Sequence, residues 1–411
     1  MVSNVGQLFQ AQSLIEQYDI RPNLLAVIWT AKNKVVLRNI INNANSSAFD
    51  KIELVQLPIN PNSYNKKRLL KIYSIYEELF QKFNIESVFI CNYNSHYNFI
   101  NQIARKKNIA VNLFEEGAGT YKNKLLLENR VSDPFKQRLK LALKSSVSEL
   151  RKTLAKSIYY KLFQFIVDVI TNHFEIVKSI VKSFIRIGLS FFSDKQRERI
   201  IQYMSPPEIR SFHNIITTFD NAYLAFPDKG KEIFKATNYY EITSDYTLNE
   251  EAQEILQSNE LLSQIDRESV IFIDQCYNVN LDEHAKTIVN FLGEYFPDQK
   301  VFIKFHPRNK GKVRSYYSKY LDQYNNIILL NLELEVPVEA ILMEKKPKLI
   351  VSVASSALLY TKKITKETNV LCCADIYLKM MQGSISNPKV IDEIIADRNT
   401  IRMLSDDIKI I

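Results

Sequence analysis

The chain has 411 residues, of which 46% are hydrophobic and 24% are charged, and this ordinary globular composition excludes a disordered chain and a fibrous repeat. Its length exceeds what one hydrophobic core usually organises, so we expect two domains of about 150 to 200 residues with a cleft between them. The four cysteines lack CxxC spacing, which predicts neither a zinc site nor a disulfide framework and favours a reducing cytosol.

The first third of the chain alternates short apolar runs with helix-compatible stretches. Alternation of this kind predicts a parallel sheet with helices on both faces. Strands are expected at 23–29, 52–57, 87–91 and 110–114, and helices near 34–44, 66–83 and 97–107.

A basic and apolar segment interrupts this pattern from about 134 to 205. Residues 136–199 hold fourteen Lys and Arg against five Asp and Glu, an excess equal to the net charge of +9 of the whole chain. The interleaved residues are Ile, Val, Leu and Phe, which favours a membrane surface over nucleic acid as the partner. An amphipathic helix here would lie on an anionic membrane, or would pack its apolar face on the protein core.

A second alternating region follows the basic segment. Strands are expected at 222–226, 239–242, 270–273, 300–305, 327–330, 349–353 and 368–372, with helices at 282–295 and 337–344. The prediction is an α/β protein of GT-B type, with two Rossmann-like domains that face a cleft and a helical basic insertion. The expected boundaries are 1–133 for the first domain, 134–215 for the insertion, 216–390 for the second domain and 391–411 for a helical tail.

Several sequence signals are missing. Residues 1–20 lack the basic-then-apolar pattern of a secretory signal, and no window approaches about 18 uninterrupted apolar residues. We therefore expect neither an export signal nor a membrane span. The eight glycines form no GxGxxG and no GxxxxGK[ST] motif, so neither a dinucleotide fingerprint nor a P-loop is predicted.

Two adjacent carboxylates follow the predicted strand at 110–114. Glu115 and Glu116 precede Gly117, at the carboxyl end of a strand, where parallel sheets bind ligands. Neighbouring carboxylates repel each other when ionised, which raises one pKa toward the range of a general base. A solvated acidic turn would give the same pattern.

Three further groups in the second domain suit a nucleotide phosphate and ribose. Lys304, His306 and Pro307 end one strand, where two bases on one side could bind a phosphate. Ser355 and Ser356 precede a helical stretch and could contribute hydroxyls and backbone amides to an anion site. Glu339 could hold ribose hydroxyls, or could simply complement a helix dipole.

Taken together, these motifs resemble the bacterial sialyltransferases, including the capsule polysialyltransferase and lipooligosaccharide sialyltransferase families. Those families carry an acidic-acidic-Gly motif, a His-Pro motif and a Ser-Ser or Ser-Thr motif in this order. The three motifs here are Glu115-Glu116-Gly117, His306-Pro307 and Ser355-Ser356. The families often have Asp in the acidic pair, so the resemblance leaves open which glutamate is the base.

The resemblance implies an inverting, metal-independent transfer of sialic acid from CMP-sialic acid to a capsule or lipooligosaccharide glycan. Glu115 or Glu116 would deprotonate the acceptor in the first domain, and His306 would stabilise or protonate the departing phosphate. The second domain would bind the CMP donor. Its expected ligand contacts are Lys304, Pro307, Glu339, Ser355 and Ser356, with Gln275 as a weaker candidate for the cytosine pocket together with Asn278.

Other interpretations remain open at this point. The donor could be another CMP-activated keto acid, such as Kdo, legionaminic acid or pseudaminic acid, or the chain could be a noncatalytic glycan-binding protein on a transferase scaffold. The enzyme could add one residue or polymerise sialic acid. We expect no metal and no cofactor besides the donor. The expected location is the cytoplasm, peripheral at the inner face of the bacterial membrane.

Overall fold

The computed structural model describes residues 1–122, 205–213, 216–243, 250–306, 313–330, 336 and 338–411. The chain forms two compact units, one made of Met1–Glu128 with Ile215–Ile411 and the other of Asn129–Asn214. In the second unit, a 3-10 helix at Pro207–His213 falls among the described residues. All other described helices and strands belong to the first unit, which consists of two α/β halves.

The first half includes residues 1–122 and 216–243. Its elements in chain order are α1 (Val5–Tyr18), β1 (Leu24–Thr30), α2 (Lys34–Asn43), β2 (Lys51–Leu57), α3 (Lys66–Lys82), β3 (Ser87–Ile90), α4 (Tyr97–Lys106), β4 (Ala110–Phe114), β5 (Thr218–Leu224), α5 (Pro227–Ile233) and β6 (Lys235–Glu241).

All strand pairs of the first half are parallel. One group is β1 with β2, and the other has the order β3-β4-β5-β6. Val2 lies beside β1: its amide donates to the carbonyl of Ala26, and its carbonyl accepts from the amide of Ile28. The Met1 amino group donates to the carbonyl of Phe89 in β3 at 2.9 Å. Residues 1 and 2 therefore connect the two strand groups.

The second half begins at residue 250. Its elements are α6 (Glu250–Ser258), α7 (Glu260–Ser263), β7 (Val270–Ile273), α8 (Leu281–Tyr295), β8 (Val301–Lys304), α9 (Arg314–Leu321), β9 (Ile327–Leu330), α10 (Val338–Lys345), β10 (Leu349–Ser352), α11 (Ala357–Ile364), β11 (Asn369–Cys372), α12 (Ala374–Met380), α13 (Pro388–Leu404) and β12 (Lys409–Ile410).

These strands form one parallel sheet with the order β12-β11-β10-β7-β8-β9. The inner strands β7 and β8 are buried along their whole length, which explains their continuous apolar sequence, because helices cover both faces of such a sheet. The chain runs outward from β7 in one direction through β8 and in the other through β10. The carboxyl ends of these three strands therefore form the topological switch point, where doubly wound sheets bind ligands.

The parallel strands described in both halves confirm the prediction of an α/β, GT-B architecture with two Rossmann-like halves. The strand pairing differs from the predicted boundary at residue 216, because β5 and β6 extend the first sheet beside β4. The predicted helical tail at 391–411 also ends differently, since β12 pairs with β11 after α13. The predicted insertion at 134–215 lies outside the described residues, apart from 205–213. Among the described helices, none has the length and apolar character needed to cross a bilayer.

Candidate active site

A cleft of about 500 Å³ lies at the switch point of the second sheet and is lined by both halves. The first half contributes residues of α1, α2 and the turn after β4. The second half contributes residues that follow β7, β8 and β10, together with part of α10 and α11. Seven of the predicted site residues line it: Glu116, Gln275, Lys304, His306, Glu339, Ser355 and Ser356.

Lys304 and His306 enter the cleft from the end of β8. Lys304 pairs in register with Ile273 of β7, which pairs in turn with Ser352 of β10. Lys304 is only 9% exposed, so its charge acts in a medium of lower effective dielectric than water. A cation in this position is suited to an anionic ligand. Pro307, the other predicted residue of this motif, lies outside the described residues.

The two serines lie at the start of α11. Ser355 is buried, and its Oγ accepts a hydrogen bond from the Ala357 amide at 3.3 Å, whereas Ser356 is exposed at the N-cap position. Amides at the first turn of a helix point away from the helix body and carry partial positive charge. The serine pair therefore offers hydroxyls and amides to the cleft that Lys304 also lines.

Glu339 lies in the first turn of α10. Burial raises the pKa of its carboxyl above the usual value, and the positive charge of Lys304 opposes this rise. A carboxylate near a cation can remain charged while it accepts hydrogen bonds from a ligand's hydroxyl groups. This is the chemistry that a ribose requires.

The two glutamates after β4 have different environments. Glu115 is fully buried, and its Oε2 accepts hydrogen bonds from the Tyr121 hydroxyl at 2.5 Å and the Ala225 amide at 2.6 Å. Its Oε1 accepts a short hydrogen bond from the hydroxyl of Tyr360 in α11. Burial raises the pKa of Glu115, and these hydrogen bonds oppose the rise. Glu115 therefore joins the two halves and does not line the cleft.

Glu116 is the acidic residue that faces the cleft. It is partly exposed, its amide donates to the Thr120 Oγ1 at 2.9 Å, and its Oε1 lies 3.5 Å from the Asn4 Nδ2. Gly117 follows with a φ of 136°, a conformation that side chains with a Cβ rarely adopt. This turn directs Glu115 into the interior and Glu116 into the cleft.

A second cavity of about 580 Å³ lies within the first half. It shares Glu116 and Val36 with the cleft, so the two spaces meet at this glutamate. Its lining is rich in amides, hydroxyls and rings, and includes Trp29, Lys32 and Asn92. The Nε1 of Trp29 is buried and has no hydrogen-bond partner in the part of the chain that the structure describes. Such a surface suits a polar, ring-shaped ligand.

The sequence model of the family described as alpha-2,8-polysialyltransferase matches residues 1–374. The chain belongs to this family. As a member of the polysialyltransferase family, it is a glycosyltransferase of the sialyl-transfer class. No curated protein matches the chain.

Solved structures with a similar backbone include sialyltransferases and epimerases. The GT-B domain of a Photobacterium damselae sialyltransferase is 14% identical, with coverage of 99% of this chain and 97% of that chain and a TM-score of 0.43. A Photobacterium 2,6-sialyltransferase in complex with CMP and lactose is 10% identical, with coverage of 99% and 76% and a TM-score of 0.43. A Listeria monocytogenes protein described as a UDP-N-acetylglucosamine 2-epimerase is 10% identical, with coverage of 99% and 90% and a TM-score of 0.46.

Some residues of the site carry no motif in the sequence. Tyr360 lines the cleft and contacts Glu115, and Asp274 also lines the cleft although it is fully buried. Asp274 directly follows β7, so its position at the carboxyl end of a predicted strand could have identified it as a site residue. Asn278, the weaker candidate, is exposed and is not part of the cleft lining.

His96 lies in the wall of the second cavity and is expected to make the protein less stable in acid. It is 4% exposed, its Nδ1 lies 2.7 Å from the Tyr76 hydroxyl, and burial lowers its pKa to about 3. Below pH 6.5 the unfolded chain binds a proton that the folded protein excludes until about pH 3. From pH 7 to pH 5 this lowers the free energy of unfolding by about 2 kcal/mol.

Urea unfolding of the wild type and of His96→Asn at both pH values measures this contribution. The asparagine can still bond to Tyr76 but does not titrate, so the variant is expected to lose about 2 kcal/mol less than the wild type between pH 7 and pH 5. Equal losses in the two proteins would contradict the assignment.

Proposed function

We propose that this enzyme transfers sialic acid from CMP-sialic acid to a bacterial surface glycan, a capsule polysaccharide or lipooligosaccharide, with inversion at the anomeric carbon. One observation carries the proposal: a carboxylate of the first half and the cation, histidine and serines of the second half that are suited to a phosphate line the same cleft. Membership in the polysialyltransferase family supports the same donor chemistry.

The donor would bind with its CMP portion against the second half. Lys304 and His306 would meet the phosphate from β8, and the hydroxyls and amides of Ser355 and Ser356 would meet it from α11. Glu339 would accept hydrogen bonds from the ribose. These groups lie at the switch point of the sheet, and charge-assisted hydrogen bonds of this kind are stronger than neutral ones. The positive charge of Lys304 would offset the negative charge that develops on the phosphate as it departs, without a metal ion.

Glu116 would be the general base. It would remove the proton from an acceptor hydroxyl while that oxygen attacks the anomeric carbon from the face opposite the phosphate. The bond between this carbon and the phosphate oxygen breaks, its electron pair leaves with CMP, and the anomeric configuration inverts. Glu116 is supported over Glu115 because Glu115 is buried and accepts three hydrogen bonds, whereas Glu116 lines both cavities.

The acceptor would occupy the second cavity. Its junction with the cleft at Glu116 would bring an acceptor hydroxyl to the base and the donor carbon together. Trp29 and the neighbouring amide side chains suit a sugar, and the cation of Lys32 suits an acceptor that itself ends in a carboxylate sugar. This lining favours chain extension on sialic acid, the activity of a polysialyltransferase.

Transfer assays with purified protein test the proposed function. CMP-sialic acid and CMP-Kdo, CMP-legionaminic acid and CMP-pseudaminic acid should be compared on acceptors with and without terminal sialic acid, in buffer with EDTA. We expect transfer from CMP-sialic acid and preference for the sialylated acceptor. Transfer from a different CMP-keto acid would correct the donor, and CMP binding without any transfer would favour a noncatalytic glycan-binding role.

The basic segment is proposed to hold the enzyme at the cytoplasmic face of an anionic membrane. Within this segment, which lies outside the described residues, the apolar residues Ile166, Ile170, Phe174, Val177, Val181 and Phe184 recur at three- and four-residue steps. The bases Lys178, Lys182 and Arg186 follow one another at four-residue steps, the spacing of an interfacial helix.

Co-sedimentation with liposomes tests this contact. Each base near an anionic surface contributes about 1 kcal/mol, so changing Lys178, Lys182 and Arg186 to Gln should reduce recovery on anionic vesicles by about 100-fold or more in partition coefficient. Binding should weaken with salt. Equal recovery on neutral and anionic vesicles, or no change in the triple variant, would mean that the segment packs on protein.

A further inference from the structure

A buried network of hydrogen-bonded polar side chains lies beneath the part of the cleft formed by the end of β7. The Asp274 Oδ1 lies 2.9 Å from the His284 Nε2 of α8, and the His284 Nδ1 lies 2.7 Å from the Tyr377 hydroxyl of α12. The Tyr317 hydroxyl of α9 donates to the same Oδ1 at 3.1 Å. The exposures of these four residues are between 0% and 2%. Three helices are thus tied to one carboxylate at the cleft.

The chemistry of these groups fixes the direction of the hydrogen bonds. A carboxylate only accepts, so the His284 Nε2 must carry the proton that it donates to Asp274. In the neutral imidazole the Nδ1 is then an acceptor, and the Tyr377 hydroxyl donates to it. With a neutral imidazole, the hydrogen bonds therefore run from Tyr377 through His284 to Asp274, and Tyr377 favours the tautomer that binds the carboxylate.

Asp274 in turn holds Gln275, a residue of the cleft lining. The Gln275 amide donates to the Asp274 Oδ1 at 2.9 Å, and the Gln275 Nε2 donates to the Asp274 carbonyl at 3.3 Å. The opposite orientation of the side-chain amide would place two oxygens against each other, so this contact sets which end of the amide is presented. The acceptor Oε1 is left for a ligand.

We infer that Asp274, His284 and Tyr377 are positioning residues that orient Gln275 to distinguish cytosine from uracil in the donor nucleotide. This inference rests on the proposed binding of CMP in the cleft. The Gln275 Oε1 accepts a hydrogen bond from the exocyclic amine of cytosine, whereas the uracil carbonyl at the same position repels it. A pocket that hydrogen-bonds one group rejects an analogue without it, because the buried partner is left unpaired.

Calorimetric titration of the full chain with CMP and with UMP tests the inference. The wild type is expected to prefer CMP. His284→Ala should reduce the ratio of CMP to UMP affinity by about tenfold, the value of one hydrogen bond to a charged group. His284→Gln should restore most of the ratio, because its side-chain Nε2 can donate to Asp274. Tyr377→Phe should reduce the ratio, whereas Tyr295→Phe, at a tyrosine with 50% exposure on α8, should leave it unchanged.

A purely structural role predicts a different outcome. If folded His284→Ala or Tyr377→Phe keeps the wild-type ratio, or weakens CMP and UMP by the same factor, the inference is wrong while the proposed function stands. Gln275→Leu changes a residue outside the buried network of polar side chains, and this variant must also lose the preference for CMP over UMP. A wild type that binds neither nucleotide would overturn the proposed function and this inference with it.

Discussion

Replacing Glu116 with glutamine is expected to reduce the rate of sialyl transfer by about 10² to 10⁴-fold while CMP still binds. Glutamine has nearly the size of glutamate and can keep the contact with Asn4, but it cannot remove a proton from the acceptor. The residues proposed to bind the phosphate and the ribose of CMP belong to the second half, so the affinity for the donor should change little. Initial rates at saturating donor and acceptor, together with calorimetry of CMP, measure both quantities.

Glu115→Gln is the matched control, since it makes the same change one residue away. Glu115 accepts hydrogen bonds from Tyr121, Tyr360 and Ala225, and an amide nitrogen in place of one oxygen leaves buried donors without an acceptor. We expect the free energy of unfolding to fall by about 1 to 3 kcal/mol, with a smaller loss of transfer than in Glu116→Gln. Near-normal transfer in Glu116→Gln, with a large loss in a stable Glu115→Gln, would reverse the two roles.

Lys304→Met is expected to weaken CMP binding by about 10- to 100-fold. Lys304 as a residue is only 9% exposed, and a hydrogen bond to a charged group contributes about 1.5 to 3 kcal/mol. Methionine retains the length and apolar stem of the side chain, so the packing at the end of β8 should survive. The loss of the cation should also raise the pKa of Glu339 further, because Lys304 opposes the effect of burial there.

Lys300→Met is the control for this prediction. Lys300 is an exposed lysine that precedes β8, at the end of the strand away from the cleft. Its substitution should leave the affinity for CMP unchanged. Ser355→Ala and Ser356→Ala, each made alone, should give smaller losses than Lys304→Met, since one neutral hydroxyl contributes about 0.5 to 1.5 kcal/mol. If Lys304→Met and Lys300→Met bind CMP equally well, the phosphate does not contact β8.

The architecture and most of the cleft could be predicted from local signals. The strands are short apolar runs that end in polar residues, and in a parallel sheet such ends share one edge, so Lys304 and Ser355 had to come near each other. The helix α1 gave a weaker signal, because it buries Gln7, Gln10 and Ser13 as well as apolar residues, and its sequence therefore reads as polar.

Other features depend on contacts between residues far apart in the chain. Adjacent glutamates look equivalent in sequence, and only the turn at Gly117 and the donors Tyr121 and Tyr360 separate Glu115 from Glu116. The strands β5 and β6 follow the long basic segment, so chain order alone assigned them to the second domain, whereas pairing with β4 places them in the first sheet. His284 and Tyr317, which contact Asp274, and Tyr377, which contacts His284, come from three different helices, and no local spacing relates them.

A crystal structure of the protein with CMP tests the central claim most directly. The account predicts CMP in the cleft between the two halves, with its phosphate within hydrogen-bond distance of Lys304 and of the start of α11, its ribose at Glu339 and its base at Gln275. The phosphate should point toward Glu116, with room between them for the transferred sugar. CMP bound elsewhere, or bound here with its phosphate away from both Lys304 and the serine pair, would contradict the account.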